Sequence, residues 1–159
     1  MDKLLKLLDS NARLTDTQLA TMLDISEAEV RAQIAKLEKE GAIRAYKAVV
    51  DWDKTDRECV TAIIELKVTP RRDVGFEGIA EQIMAFEEVE SVYLMSGGYD
   101  LNVVVKGKTL QDVARFVSKE LALIDSVTST ATHFVLRRYK EMDVKLYDGN
   151  DDDRGQILI

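Results

Sequence analysis

The chain predicts an α+β protein, and three features of its 159 residues carry that expectation. Two helix-start signatures of one kind stand eleven residues apart near the beginning. From residue 60 onward, strand-like apolar runs alternate with amphipathic helical segments. The acidic excess falls almost wholly on that second region. Together they predict an N-terminal (winged) helix-turn-helix domain over residues 1–51 and a C-terminal ferredoxin-like βαββαβ domain with an antiparallel sheet over residues 52–159.

In the first domain, residues 2–11 form a short amphipathic helix with Leu4, Leu7 and Leu8 inward. Thr15-Asp16-Thr17-Gln18 and Ser26-Glu27-Ala28-Glu29 are both capping boxes, in which a hydroxyl accepts the N3 backbone N–H and the N3 side chain reaches back. The helices they open run over 15–23 and 26–40, the second ended by Gly41 as a left-handed cap. The join, Asp24-Ile25, is long enough only for a sharp turn, and Asp24 replaces the usual glycine with a residue that tolerates the left-handed conformation. Ala20 allows close approach and Val30 locks the second helix down, the layout of a helix-turn-helix; the plainer reading is an ordinary αα-hairpin. Residues 43–50 read as a strand, the wing or linker, and 52–58 as a polar boundary.

In the second domain, residues 60–68 are β-rich, and Asp73 is expected to cap a helix carrying Ile79, Ile83 and Phe86. Strands over 89–96 and 101–106 flank Gly97-Gly98-Tyr99-Asp100, and Thr109 opens a helix carrying Leu110, Val113, Phe116, Val117 and Leu121. Residues 127–139 are a long last strand. In this order the helices cover one sheet face only, and the consecutive Val103, Val104 and Val105 make that strand apolar on both. The open face is therefore expected to pack against a second copy. Residues 148–153 are an acidic loop without the spacing of a calcium loop, and Gln156-Ile157-Leu158-Ile159 are expected to add a strand to a neighbouring subunit or else to fray.

Composition narrows the function. No apolar run approaches the ~20 residues a bilayer requires, and the first residues lack a signal-peptide cleavage site, so a cytoplasmic protein with no membrane role is expected. One cysteine, Cys59, leaves no disulfide framework or cysteine metal cluster and is expected to be a buried small hydrophobe. An activated nucleophile, a P-loop and a zinc motif are missing, so neither an enzyme, nor a cofactor, nor a metal site is expected. Residues 1–51 hold 8 basic and 9 acidic residues against 14 and 20 in the remainder, net −1 and −6. A reader of nucleic acid so weakly charged needs a local basic surface, and two-fold symmetry to double its phosphate contacts.

That surface is the side of the third helix opposite Val30, Ile34 and Leu37. Ala28, Ala32, Ala35 and Lys39 lie there, flanked by Arg31 and Lys36. Small side chains let the helix sink into a major groove, with alanines on thymine methyls and Arg31 on a guanine edge. Ser26 opens the helix, and Arg44, Lys47 and Arg13 are candidate phosphate anchors. Glu27 and Glu29 read as structural, favouring the helix dipole and closing the cap. The plain alternative for Arg31 and Lys36 is solubility. A second constellation is Gly97-Gly98-Tyr99-Asp100, where backbone N–H groups can form an anion cradle and Asp100 offers an ammonium partner, the two ends of a free amino acid. A simple hairpin turn is the equal alternative. The hydroxyl-rich segment from Thr128 to His133, with Thr130 and Thr132, is a possible second wall.

These features, above all Leu94-Met95-Ser96-Gly97-Gly98-Tyr99-Asp100-Leu101 and Ser129-Thr130-Ala131-Thr132-His133-Phe134-Val135-Leu136, resemble the Lrp/AsnC (feast/famine) family of bacterial and archaeal transcription regulators over nearly the whole chain. The resemblance implies a sequence-specific regulator that binds double-stranded DNA at a palindromic operator and responds to an amino acid or similar small effector. It also implies a homodimer, paired through its sheets, that assembles to a tetramer or octamer with the effector between dimers. By position, Gly98, Tyr99 and Asp100 match the effector turn, and Thr130, Thr132 and His133 the facing strand. The chain departs from the pattern in starting directly at the first helix and in carrying Glu27 and Glu29. Sirohaem decarboxylases resemble the same two-domain layout, although this chain has a single histidine for such chemistry, His133. An architectural chromatin protein with no effector is the third reading.

Overall fold

A computed structural model describes residues 2–70 and 75–147, and the chain divides into two compact units, 1–49 and 50–159. The first unit is three helices, α1 (Asp2–Ser10), α2 (Asp16–Leu23) and α3 (Glu27–Lys39). Both capping boxes form. Thr15 Oγ1 accepts from the Gln18 N–H at 3.2 Å while Gln18 accepts from the Thr15 N–H at 2.9 Å, and Ser26 and Glu29 repeat the exchange at 3.2 and 2.9 Å. Asp24 is left-handed at φ 55°, which turns the chain between α2 and α3, and the Ile25 N–H donates back to the Ala20 carbonyl at 3.1 Å. Leu4, Leu8, Leu19, Ala20, Val30 and Leu37 are the buried core, with Leu7 packed at its edge. Gly41, at φ 72°, ends α3 beyond its last regular turn. A Cβ at Gly41 would meet the Arg44 guanidinium carbon at 3.1 Å, so a side chain there is opposed by both the backbone and a neighbour.

Residues 43–50 are not a strand in this structure, which corrects the expected wing or linker strand. A strand needs a ladder partner, and the described remainder of this unit is helix and turn, with no other strand to supply one.

The second unit holds β1 (Val60–Val68), α4 (Gly75–Met84), β2 (Val89–Leu94), β3 (Leu101–Gly107), α5 (Leu110–Lys119) and β4 (Val127–Phe134). These four strands form one antiparallel sheet in the order β2-β3-β1-β4. Alternation sets the two faces. Ala62, Ile64, Leu66 and Val68 of β1 and Leu101, Val103 and Val105 of β3 are buried with Ile79 and Ile83 of α4 and Val113, Phe116 and Val117 of α5. The other face carries Ile63 and Val104, a register pair left half-buried, with Glu65, Asn102 and Lys106 around them. Lys106 pairs there with Glu90. No helix among the described residues is long and apolar enough to cross a membrane.

Several boundaries differ from expectation. Phe86 and Leu121 lie just past their helices, Phe86 meeting Phe116 edge-to-face at 5.3 Å and Leu121 buried in a 3₁₀ turn, so both serve the core from outside the helical register. Leu110, the first helical position of α5, is 50% exposed. The last strand stops at Phe134, and a separate hairpin follows, β5 (Lys140–Glu141) with β6 (Val144–Lys145), turned by Met142 and Asp143 at positive φ. Cys59 is only half-buried, since it precedes β1 instead of lying in it. The expected cap at Asp73 and the tail 148–159 lie outside the described residues.

Candidate nucleic-acid interface and ligand turn

The exposed side of α3 is continuous. Ala28, Arg31, Ala32, Ala35, Lys36 and Lys39 are all solvent-exposed, spaced by three and four residues, with Val30 and Leu37 buried behind them. Thirteen residues give a rod of roughly 20 Å, and its small alanines leave it slim enough for a major groove. Arg44 and Lys47 are exposed beyond its C-terminal end. Ser26 belongs to this surface but is engaged in the cap, its hydroxyl donating to Glu29 Oε2 at 2.8 Å. The Ser26 backbone N–H, then the Ser26 hydroxyl, hold the Glu29 carboxyl below the ordinary glutamate value. Tyr46 stands near the other end, its hydroxyl donating to Glu38 at 3.1 Å.

Arg31 is held from two sides. Its Nη1 lies 3.3 Å from Asp16 Oδ2 on α2 and 3.5 Å from Glu27 Oε2 one turn earlier on α3. Glu27 is itself fixed, accepting from the Thr17 hydroxyl at 2.7 Å. Sequence spacing could have revealed the Glu27–Arg31 pair, an i,i+4 match. Asp16 and Thr17 carried no such signal, since only the turn at Asp24 brings α2 alongside. Lys36 pairs more loosely with Glu40 at 3.8 Å.

In the second unit, residues 95–100 join β2 to β3, and a Cβ added at Gly97 or Gly98 would meet nothing within 4 Å. Asp100 is tied into the sheet. Its N–H donates to the Leu66 carbonyl at 2.9 Å, and its Oδ2 accepts the Val68 N–H at 2.8 Å. The ladder between β1 and β4 shifts at Lys67/Val68, and Asp100 supplies the acceptor there. A carboxylate has about four acceptor sites, so this bond and an ammonium contact are chemically compatible. The Tyr99 hydroxyl accepts from the Asn102 amide at 3.3 Å.

The three candidates on β4 do not share a wall within one chain. Thr130 and Thr132 sit opposite Leu66 and Ile64, on the helix-covered side, whereas His133 sits opposite Ile63 on the open face. There its Nε2 is 3.5 Å from Glu65 Oε1. His133 is also four residues along β4 from Ser129, the partner of Lys67, roughly 13 Å at the strand rise. Among the described residues no group of three or more histidine, cysteine, aspartate or glutamate side chains could hold a metal ion.

Comparison with known proteins places both units. Residues 3–44 match a family model described as winged helix-turn-helix DNA-binding, and residues 61–144 match the Lrp/AsnC ligand binding domain. The chain is 52% identical over 157 residues to the uncharacterized HTH-type transcriptional regulator YugG of Bacillus subtilis, covering 98% of this chain and 94% of that protein. It is 33% identical over 137 residues to the HTH-type transcriptional regulator LrpA of Pyrococcus abyssi, covering 86% and 94%. The fold matches the transcriptional regulator NMB0573/L-Met complex from Neisseria meningitidis with a TM-score of 0.71 at 24% identity, covering 87% and 89%.

Proposed function

Because the chain belongs to the Lrp/AsnC family of DNA-binding transcriptional regulators, we propose that it is an amino-acid-responsive member that reads a palindromic operator as a cytoplasmic homodimer, assembling further to a tetramer or octamer. Residues 1–51 do the reading, and residues 52–159 sense the effector and assemble. The observation that carries the reading is the unbroken exposed face of α3, with Ala28, Arg31, Ala32 and Lys36 on a helix clamped at its start by Ser26 and Glu29. Arg31 contacts a guanine edge, the alanines lie on thymine methyls, and Arg44 and Lys47 take phosphates. With a net charge of −1 over residues 1–51, one copy grips weakly, and two-fold symmetry doubles the contacts.

The effector turn is residues 97–100. Its support is the match of 61–144 to a ligand binding domain, together with two unobstructed glycines beside a carboxylate already fixed in place. Gly97 and Gly98 receive the effector's carboxylate and Asp100 its ammonium group, with Tyr99 alongside. Since β4 splits Thr130 and Thr132 from His133, the facing wall is completed by a second copy, whose approach is along the open sheet face beside Ile63 and Val104.

Two measurements test this. Selection from a pool of randomised duplexes should enrich a palindrome with half-sites about one helical turn apart, and a pool left unenriched overturns the reading of DNA. Thermal unfolding with each of the amino acids and 2-oxo acids should show one class raising the midpoint. Indifference to all of them overturns the sensing and favours an architectural protein.

A further inference from the structure

Asp16 and Glu27 each favour the dipole of the helix whose first turn they occupy, but surface ion pairs contribute little to stability, so folding does not account for the convergence of both carboxylates on the arginine of a groove-reading helix. Arg31 is 59% exposed, and Asp16 and Glu27 are 39% and 46% exposed. In a DNA reader, two acids at that place repel phosphate and oppose binding to any duplex. Their geometry offers a compensating gain. Both converge on the same atom, Nη1, and Glu27 is itself anchored through its other oxygen by Thr17 of α2. A planar guanidinium fixed at one terminal nitrogen has its plane set, and its remaining donors, Nη2 and Nε, form a fork of the kind that meets a guanine O6 and N7 together.

Resting on the reading of α3 as the groove helix, we infer that Asp16 and Glu27 are specificity-determining positioning residues. They orient Arg31 toward a guanine and penalise every duplex that lacks one at that position. Where guanine is present, the preset fork gains two hydrogen bonds without first being ordered. Where it is absent, the acids remain and the arginine cannot swing freely to a phosphate. Thr17 sets the register between the two helices by holding Glu27 in the orientation that reaches Arg31.

The experiment compares the duplex selected by the parent protein with a scrambled duplex of the same length, by fluorescence anisotropy at fixed salt. The double variant D16N/E27Q should bind the scrambled duplex more tightly and lose about tenfold in the ratio of the two affinities, the scale of one base contact. T17V alters no charge, so it should lower the ratio while leaving scrambled binding unchanged, and it keeps the test open if the double variant does not fold. In an Arg31→Lys background, which keeps the charge but removes the fork, D16N/E27Q should no longer change the ratio. An unchanged ratio in both D16N/E27Q and T17V, or an equal gain on both duplexes, overturns the inference. A parent that enriches no duplex at all overturns the regulator reading instead.

Discussion

The helix pair of the first unit and the proposed ligand turn of the second both lie at the surface, yet they are held in different ways. In the helix pair, each cap closes on a residue three positions away, Thr15 with Gln18 and Ser26 with Glu29. In the turn, Asp100 closes on Val68, 32 residues away, at the point of β1 where its ladder with β4 shifts register. The first arrangement is available to any chain that begins a helix there. The second exists only once β1 and β3 are paired. Local closure needs only neighbouring residues, whereas distant closure makes the Asp100 side chain part of the fold itself.

Asp100 therefore offers the largest test of that contrast. Asp100→Ala leaves the Val68 N–H without its acceptor at a buried strand end, and the second unit should lose about 2 kcal/mol in urea unfolding. Asp100→Asn keeps an acceptor oxygen and should lose less than half of that while still removing the charge needed by an ammonium group. A loss of effector response in the Asn variant, with stability near the parent's, separates the two roles. If Asp100→Ala costs no more than an ordinary surface substitution, the turn is not held across the sheet as described.

The same contrast explains what could be read from the residues alone. The caps, the left-handed turn at Asp24, the buried Val30 and Leu37 and the succession of strands and helices all follow from spacings of two to four residues or from alternation. The contact of Arg31 with Asp16 spans two helices, and that of Asp100 with Val68 spans two strands, so no local pattern announces either. The division of Thr130 and Thr132 from His133 between the two faces of β4 has a related origin. Two-residue periodicity was visible in the sequence, but the residue at which β4 begins its pairing, beside the shift at Val68, decides which side each faces. Residues 43–50 show the reverse case, a segment of strand composition to which the described remainder of its unit offers no strand partner.

On the local side of the comparison, Ser26→Ala removes the hydroxyl that accepts the Glu29 N–H and should cost the first unit about 1 kcal/mol, the usual loss for a cap. Thermal unfolding followed by helical circular dichroism reads it. A smaller effect still is expected at the open part of the turn. Gly98→Ala introduces a methyl with no heavy atom within 4 Å, so stability should stay within about 0.5 kcal/mol of the parent. Effector response, measured as the ligand-induced rise in midpoint, should nonetheless fall if the backbone at Gly98 is what the ligand approaches. A response equal to the parent's would place the ligand elsewhere.

The smallest effect is in the pH dependence of the helix pair, and its sign is fixed by the cap. Hydrogen bonds from the Ser26 N–H and then the Ser26 hydroxyl favour the charged form of Glu29, so its carboxyl titrates lower in the folded protein than in the unfolded chain. A depressed carboxyl contributes stability that is present above the unfolded value and is lost as pH falls through the folded one. The loss therefore begins as pH drops below 4.5, the ordinary glutamate value, and is complete only beneath the lowered one. Glu29→Gln keeps an oxygen for the Ser26 N–H but cannot titrate. Against acid, the midpoint of the first unit should fall more steeply in the parent than in Glu29→Gln, while the two run parallel near neutral pH. Because Glu29 is exposed, the separation is small, and it should shrink when salt screens the helix dipole that the charge also favours. Curves that stay parallel down to acid pH would show that the cap works through the hydrogen bond alone, independent of charge.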